Sequence, residues 1–218
     1  MSEPTQQELR EQLTHQYQHV ERIGLNELAS GNLSCRFDDG MLISPSGATA
    51  DTITPSSIVH TTFEGIYAGD HKPSSEWRMH ADIYTAIPEA KALVHTHSDY
   101  VVALACQLKP LPGFHYLVGE FGGSDVPCIP YATFGSHALA EWAAGALKDR
   151  TACLLGNHGM ISRGADLATA VMLAHRLEIM CKQYLLSCQF GEPRLLTDEE
   201  WEDFFDKAKD YNYGIQEA

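Results

Sequence analysis

A chain of 218 residues, 44% hydrophobic and 20% charged, has the composition of an ordinary globular protein and enough length to bury a large core. Its formal net charge of −14 argues against nucleic acid and anionic membrane as partners, so an anionic substrate has to be drawn by a local cation or a helix N-terminus. No apolar run is long enough to span a bilayer, and the opening Met1-Ser2-Glu3-Pro4 is polar and acidic, unlike a secretory signal. The six cysteines form no Cys-x-x-Cys pair, and several lie in apolar runs, which reads as buried free thiols in a reducing cytoplasm.

In chain order, residues 5–23 carry Leu9, Leu13, Tyr17 and Val20 at helical spacing, with Gly24 as a stop. Ala29-Ser30-Gly31-Asn32-Leu33-Ser34-Cys35-Arg36-Phe37 reads as a glycine turn feeding a strand. Asp38-Asp39-Gly40 is a hairpin turn, and Met41-Leu42-Ile43 is the return strand, ending in the polar loop Ser44-Pro45-Ser46-Gly47. Two polar loops at strand ends can offer N–H groups, hydroxyls and an amide to an oxyanion, although such residues are also common in plain turns. Residues 53–60 suggest a short helical turn and a further strand segment. Met79, Ile83 and Ile87 then predict a helix beginning near Ser75, with Ser74 and Ser75 at its N-terminus and Glu76 in its first turn. The serines can simply cap that helix, and Glu76 can simply complement its dipole.

Pro88 ends that helix. Ala92-Leu93-Val94-His95-Thr96-His97 follows as a strand carrying two histidines on one face, about 6–7 Å apart, since alternate strand residues point the same way. Residues 100–106 look helical. Residues 114–136 are loop-rich and aromatic, and their glycines do not match a dinucleotide-binding pattern. His137 to Leu147 reads as an amphipathic helix, and Thr151-Ala152-Cys153-Leu154-Leu155 as a strand ending in Gly156-Asn157-His158-Gly159. A long helix spans 166–188, and Thr197-Asp198-Glu199-Glu200 is a capping box opening a last helix. With no repeat, linker or low-complexity segment, residues 1–218 are expected to form one domain.

Eleven histidines make chance pairs unavoidable. His15, His19, His60, His71, His80, His115, His137 and His175 have no spacing that demands a ligand role. His95 and His97 can converge on a metal, and His158, between glycines at a strand end, is the proposed third ligand. Three neutral imidazoles leave a zinc ion its full charge and an open coordination position. A cupin barrel also begins with His-x-His but wants a carboxylate shortly after, where this chain has Val101 and Val102.

Gly31-Asn32-Leu33-Ser34, Ser44-Pro45-Ser46-Gly47, Ser74-Ser75-Glu76-Trp77, His95-Thr96-His97 and Asn157-His158-Gly159 occur in this order. Together the five motifs resemble the class II aldolase/adducin family, and most of all its L-fuculose-1-phosphate aldolase branch, over nearly the whole chain. The resemblance implies a three-layer α/β/α fold with a largely antiparallel central sheet. It implies one Zn2+ per subunit on His95, His97 and His158, with Glu76 binding near it or acting as acid/base. It implies a substrate phosphate held by Asn32, Ser46, Gly47, Ser74 and Ser75. It further implies a homotetramer with active sites at subunit interfaces, Tyr116 reaching in from a neighbour, and a C-terminal tyrosine, Tyr213 or else Tyr211, closing the site. The implied reaction is reversible cleavage of a deoxy-ketose 1-phosphate, such as L-fuculose 1-phosphate, to dihydroxyacetone phosphate and an aldehyde. Relatives of the same family act on 5-deoxypentulose 1-phosphates, decarboxylate or dehydrate sugar phosphates, or, as adducin heads, serve as non-catalytic modules. One departure bears on the substrate: many aldolases of this group have a second histidine where this chain has Asn157.

Overall fold

The computed structural model describes residues 4–211, with side chains through Asp210. Its first helix, α1 (Gln6–Arg22), starts at a capping box in which Thr5 Oγ1 accepts from the Glu8 N–H at 3.3 Å and the Glu8 carboxylate accepts from the Thr5 N–H at 2.8 Å. The hairpin β1 (Asn32–Phe37) and β2 (Gly40–Ile43) turns through Asp38 in the left-handed region, φ +47°, a conformation that aspartate tolerates. Then come β3 (Val59–Thr62), α2 (Trp77–Ala86), β4 (Ala92–Thr96) and α3 (Asp99–Ala105). The chain continues through β5 (Cys128–Ile129), α4 (His137–Ala146), β6 (Ala152–Leu155), β7 (Gly159–Gly164), α5 (Leu167–Ser187) and α6 (Asp198–Tyr211).

The seven strands form one sheet in the order β3-β2-β1-β4-β7-β6-β5, antiparallel throughout except for the β5–β6 pair. The strands alternate between the sheet's two faces with the period of two that a pleated chain imposes. Leu42, Val94, Leu154 and Met160 pack under Leu13, Tyr17, Val101, Leu173 and Leu177, so α1, α3 and α5 cover one face. Met41, Ile43, Leu93, Cys153, Leu155 and Ile161 pack under Met79, Ile83, Leu139 and Ala143, so α2 and α4 cover the other. Both faces are dry, which is why the central strands read as continuous apolar runs. The expected α/β architecture with a largely antiparallel sheet is what the chain adopts, and none of the described helices is long and apolar enough to cross a membrane.

Three elements differ from the sequence reading. The strand β7 follows His158 directly, where no strand was expected, because Gly-Met-Ile-Ser-Arg-Gly is short, glycine-bounded and half polar. The strand β5 lies inside the region read as loop and has only two residues, too few for any periodicity. Helix α2 begins at Trp77, later than Ser75; residues 74–76 form a turn before it, with the Trp77 N–H donating to the Ser74 carbonyl at 3.0 Å.

Candidate active site

Strand β4 is the middle strand of the sheet, and its register places the site. His95 lies opposite Asn32 of β1 on one side and Ile161 of β7 on the other. It shares a face with Leu93, the face covered by α2, so its imidazole points to the α2 N-terminus. There Glu76 occupies the N-cap position without making a capping hydrogen bond. Its carboxylate turns into the protein instead and is 4% exposed. The reading of Glu76 as a dipole-compensating surface acid is thereby replaced.

His95 Nε2 lies 2.8 Å from Glu76 Oε2, and His158 Nε2 lies 3.4 Å from Glu76 Oε1. His97 Nε2 is 2.8 Å from His95 Nε2. The three rings stand nearly perpendicular to one another at 4.7–4.9 Å between centroids. The ligand-capable atoms of Glu76, His95, His97 and His158 all lie within 4.8 Å of one another. His95 Nδ1 donates to the Met160 carbonyl at 2.7 Å, which leaves Nε2 with a lone pair aimed at the cluster. Glu76 Oε1 is buried and has no hydrogen-bond partner. Three imidazole nitrogens converging at one point, with a buried carboxylate beside them, fit a divalent transition-metal ion held by the histidines.

The electrostatics agree. Burial raises the Glu76 carboxyl, but His95, then His158 and the Asn32 amide, outweigh it and hold the group well below the usual carboxylate range. Burial lowers His97 to about 3 and His158 to about 4, helped in each case by the neighbouring His95. Both rings are therefore neutral at ordinary pH, the form that binds metal. His95 moves the other way: burial lowers it, but Glu76 and the Met160 carbonyl raise it more.

The β6–β7 turn presents His158. Asn157 sits in the left-handed region at φ +53°, a conformation asparagine accepts more readily than most residues. Gly159 is required by close approach: a Cβ there would lie 2.3 Å from the Thr96 carbonyl oxygen and 3.0 Å from the His97 ring. The two strands beside His97 and His158 are thus pressed together at this glycine.

The polar loops meet beside the cluster. Pro45 and Pro73 form an isolated antiparallel bridge. The Ser46 N–H donates to the Lys72 carbonyl at 2.9 Å, and the Ser74 N–H to the Ser44 carbonyl at 3.1 Å. Ser46, Gly47 and Ser75 are exposed, whereas Ser74 is buried and its Oγ accepts from the Glu76 N–H at 3.3 Å. Gly47 has φ +73° and open space around it. Asn32 is buried, and its amide is engaged on both sides: Nδ2 donates to Glu76 Oε2 at 3.2 Å, and Oδ1 faces His80 Nε2 at 2.6 Å.

Tyr116 is not gathered into this cluster within one chain. It is 51% exposed, and its ring packs on His115 at 4.8 Å and on Phe204 of α6 at 5.9 Å. Tyr213 lies outside the described residues, as does the side chain of Tyr211. The sequence reading missed the roles of Gly159, the Met160 carbonyl and the buried set His80, Ser34 and Tyr84. One signal was available for that set: Glu76, His80 and Tyr84 recur every four residues while Asn32 and Ser34 alternate on a strand.

Residues 11–185 match the family of class II aldolase and adducin N-terminal domains. Over 208 residues the chain is 43% identical to a 5-methylthioribulose-1-phosphate/5-deoxyribulose-1-phosphate aldolase of Rhodospirillum rubrum, covering 95% of this chain and 94% of the relative. It is 40% identical to the L-fuculose phosphate aldolase of Escherichia coli K12, covering 90% of this chain and 92% of that one. A solved L-fuculose 1-phosphate aldolase superposes with a TM-score of 0.86 at 36% identity, over 92% of this chain and 96% of that one. The chain belongs to the class II aldolase and adducin N-terminal domain family, and within it to the aldolases.

Proposed function

We propose that this protein is a zinc-dependent class II aldolase that reversibly cleaves a short deoxy-ketose 1-phosphate, L-fuculose 1-phosphate or a similar sugar, to dihydroxyacetone phosphate and an aldehyde. The observation that carries the reading is the convergence of Glu76, His95, His97 and His158 within 4.8 Å at the end of the central strand. His95, His97 and His158 would hold the zinc. When bound, the ion supplies a Lewis acid that polarises the ketose carbonyl and favours the negative charge that develops beside it.

The chain's own residues do the rest. Glu76 rests as the carboxylate, the form that removes the carbon-bound proton of dihydroxyacetone phosphate in the synthetic direction. In cleavage the cycle starts with Glu76 holding a proton taken up from solvent as substrate binds: the C4 hydroxyl gives its proton to Tyr116 of the neighbouring copy, the C3–C4 bond breaks, and the electron pair left on C3 takes the proton from Glu76, which returns to its resting carboxylate. Tyr116 of a neighbouring copy is the group that handles the C4 hydroxyl proton, and its exposure in the single chain suits a role across an interface. A homotetramer with sites at the subunit boundaries follows from that reading, and a C-terminal tyrosine, Tyr213 or Tyr211, would close over the substrate. Ser46, Gly47, Ser74 and Ser75 offer N–H and O–H donors for the phosphate, and Asn32 has a second Nδ2 hydrogen to add at their edge.

A second substrate reading stays within the same chemistry. The 43% identity to the Rhodospirillum rubrum aldolase favours 5-deoxypentulose 1-phosphates and their methylthio analogues. An adducin-like module without catalysis would have no need to retain all four converging side chains. The test is a panel of five- and six-carbon ketose 1-phosphates with and without chelator, with dihydroxyacetone phosphate measured as product. Chelator-sensitive release supports the proposal. Loss of CO2 or water without dihydroxyacetone phosphate would move the chain to a decarboxylase or dehydratase, and no reaction with any sugar would refute the aldolase assignment.

A further inference from the structure

Behind Glu76 the face of the sheet under α2 holds a line of buried polar groups, of which the reaction above uses only Asn32. Asn32 and Ser34 alternate on β1 and point to α2. His80 and Tyr84 lie one and two turns beyond Glu76, on the same stripe of the helix. Asn32 Oδ1 meets His80 Nε2 at 2.6 Å, His80 Nδ1 meets Ser34 Oγ at 2.7 Å, and Ser34 Oγ meets the Tyr84 hydroxyl at 2.8 Å. His80 and Ser34 are fully buried, and Tyr84 nearly so. The guanidinium of Arg36 lies over the Tyr84 ring at 4.9 Å and donates to the Tyr84 carbonyl, which holds this end of the line in place.

The direction of every hydrogen bond follows from one fact: the Glu76 carboxylate has no proton to give. Asn32 must therefore present Nδ2 to Glu76 Oε2, and so presents Oδ1 to His80. His80 must carry its proton on Nε2 to donate to Oδ1. Burial lowers His80 to about 3, so the ring is neutral and Nδ1 is an acceptor. Ser34 then donates to Nδ1, and Tyr84, whose burial keeps its phenol protonated, donates to Ser34. All four donors point toward Glu76. Reversing one bond forces the next to reverse, and ends by turning the Asn32 carbonyl oxygen onto the carboxylate.

We propose that His80 is a positioning residue for Glu76: through Ser34 and Asn32 it locks the carboxylate by Oε2 and leaves Oε1 as the oxygen that exchanges protons with substrate. Glu76 Oε1 is buried, faces the cluster and has no hydrogen-bond partner, as this division of labour requires. A carboxylate anchored at one oxygen meets the substrate carbon in one orientation, and orientation of this kind accounts for large factors in rate. The inference rests on the aldolase reading for its consequence and on hydrogen bonding alone for its cause.

The two can be tested apart. In the metal-loaded full-length protein, exchange of the carbon-bound hydrogen of dihydroxyacetone phosphate with D2O, without any aldehyde, reads the Glu76 step. His80→Gln places its side-chain nitrogen where Nε2 lies and keeps the bond to Asn32, whereas His80→Asn reaches only the Nδ1 position. His80→Gln should keep exchange and kcat within about tenfold of wild type, while His80→Asn should lose about a hundredfold in both. KM, metal content and melting temperature should stay close to wild type in each. Asn also leaves the larger void, so a packing role would lower melting temperature together with rate; rate losses that track melting temperature, or equal effects in the two variants, overturn the proposal. Should either His80 variant fail to fold, 15N-labelled histidine spectra of the wild type decide: His80 must be the neutral Nε2–H tautomer at pH 7, and the other tautomer or an imidazolium refutes the chain of donors. Wild-type protein that neither exchanges nor cleaves would refute the aldolase reading instead, and the tautomer would still decide the hydrogen bonds.

Discussion

Replacing Glu76 by glutamine tests the site with the least disturbance of its shape. The side chain is 4% exposed, so an isosteric amide is needed to avoid opening a void. The glutamine carbonyl oxygen can take the place of Oε2 and still accept from Asn32 Nδ2, whose partner lies at 3.2 Å. Its amide nitrogen then sits where Oε1 stood, 3.4 Å from His158 Nε2, in a position that previously had no hydrogen-bond partner. The fold and the three imidazoles are thus preserved, and the only function removed is proton transfer. Positioned acid/base groups contribute about 10²–10⁴ in rate, about 3–5 kcal/mol of barrier, so kcat should fall by that factor. Dihydroxyacetone phosphate release from a ketose 1-phosphate measures turnover, and elemental analysis of the same sample measures bound metal. A variant that keeps its metal and cleaves within tenfold of wild type would remove Glu76 from the acid/base role.

The other predictions concern the metal, the backbone and pH. His158→Ala should strip the ion during ordinary purification and abolish cleavage, and a variant that still carries one ion per chain would exclude His158 as a ligand. Chelation of the wild type should lower its melting temperature and zinc should restore it, because an ion bound only by the folded state adds about 4 kcal/mol at a thousand times its Kd; an unchanged melt would contradict a site of that affinity. Gly159→Ala forces a Cβ to within 2.3 Å of the Thr96 carbonyl, so the strands bearing His97 and His158 must part, and both metal affinity and stability should drop. Wild-type metal content and melting in that variant would show the approach to be softer than the geometry implies. His80 is lowered from 6.5 to about 3, so the unfolded chain takes up this proton first and stability is lost as pH falls from about 6.5 toward 3. One such group contributes at most about 1.4 kcal/mol per pH unit, and His80→Gln should flatten the pH dependence of urea unfolding by that amount in metal-free protein. An equal slope in the two proteins would mean that His80 titrates normally.

The legible parts of the chain are those with long periods or strong punctuation. Helix α5, with Val171, Ala174, Leu177 and Cys181 buried, ran within one residue of its expected bounds. The hairpin of β1 and β2 was announced by Asp-Asp-Gly between apolar runs. Strand β7 was invisible because it is buried on both faces, so it does not alternate, and glycines bound it at both ends. In the site, the candidate residue types were readable, but their meeting was not. His95 and His158 are 63 positions apart, and only the sheet register brings β4 and β7 side by side. Glu76 alone looked like a helix-start acid; its inward turn depends on Asn32 and on the tertiary packing of α2 against the sheet. The His80 set escaped notice because buried polar pairs look like ordinary interior residues until both partners are known.

Under the proposed function, the site also accounts for how a strongly anionic chain would take an anionic substrate. None of the groups expected to meet the phosphate is a charged side chain; they are backbone N–H groups, hydroxyls and one amide, which carry no counter-charge of their own. The Glu76 carboxylate, which follows Ser75 directly, is turned into the imidazoles. That orientation needs something to hold it, because an N-cap carboxylate would otherwise bond to the free N–H groups of its own helix. Asn32 supplies the competing bond, and Ser74 Oγ accepts the Glu76 N–H at the same corner. The same small set of neutral groups would therefore do two things at once under the proposed function: keep a negative charge out of the loops proposed for the phosphate, and aim that charge at the place where a proton is proposed to move.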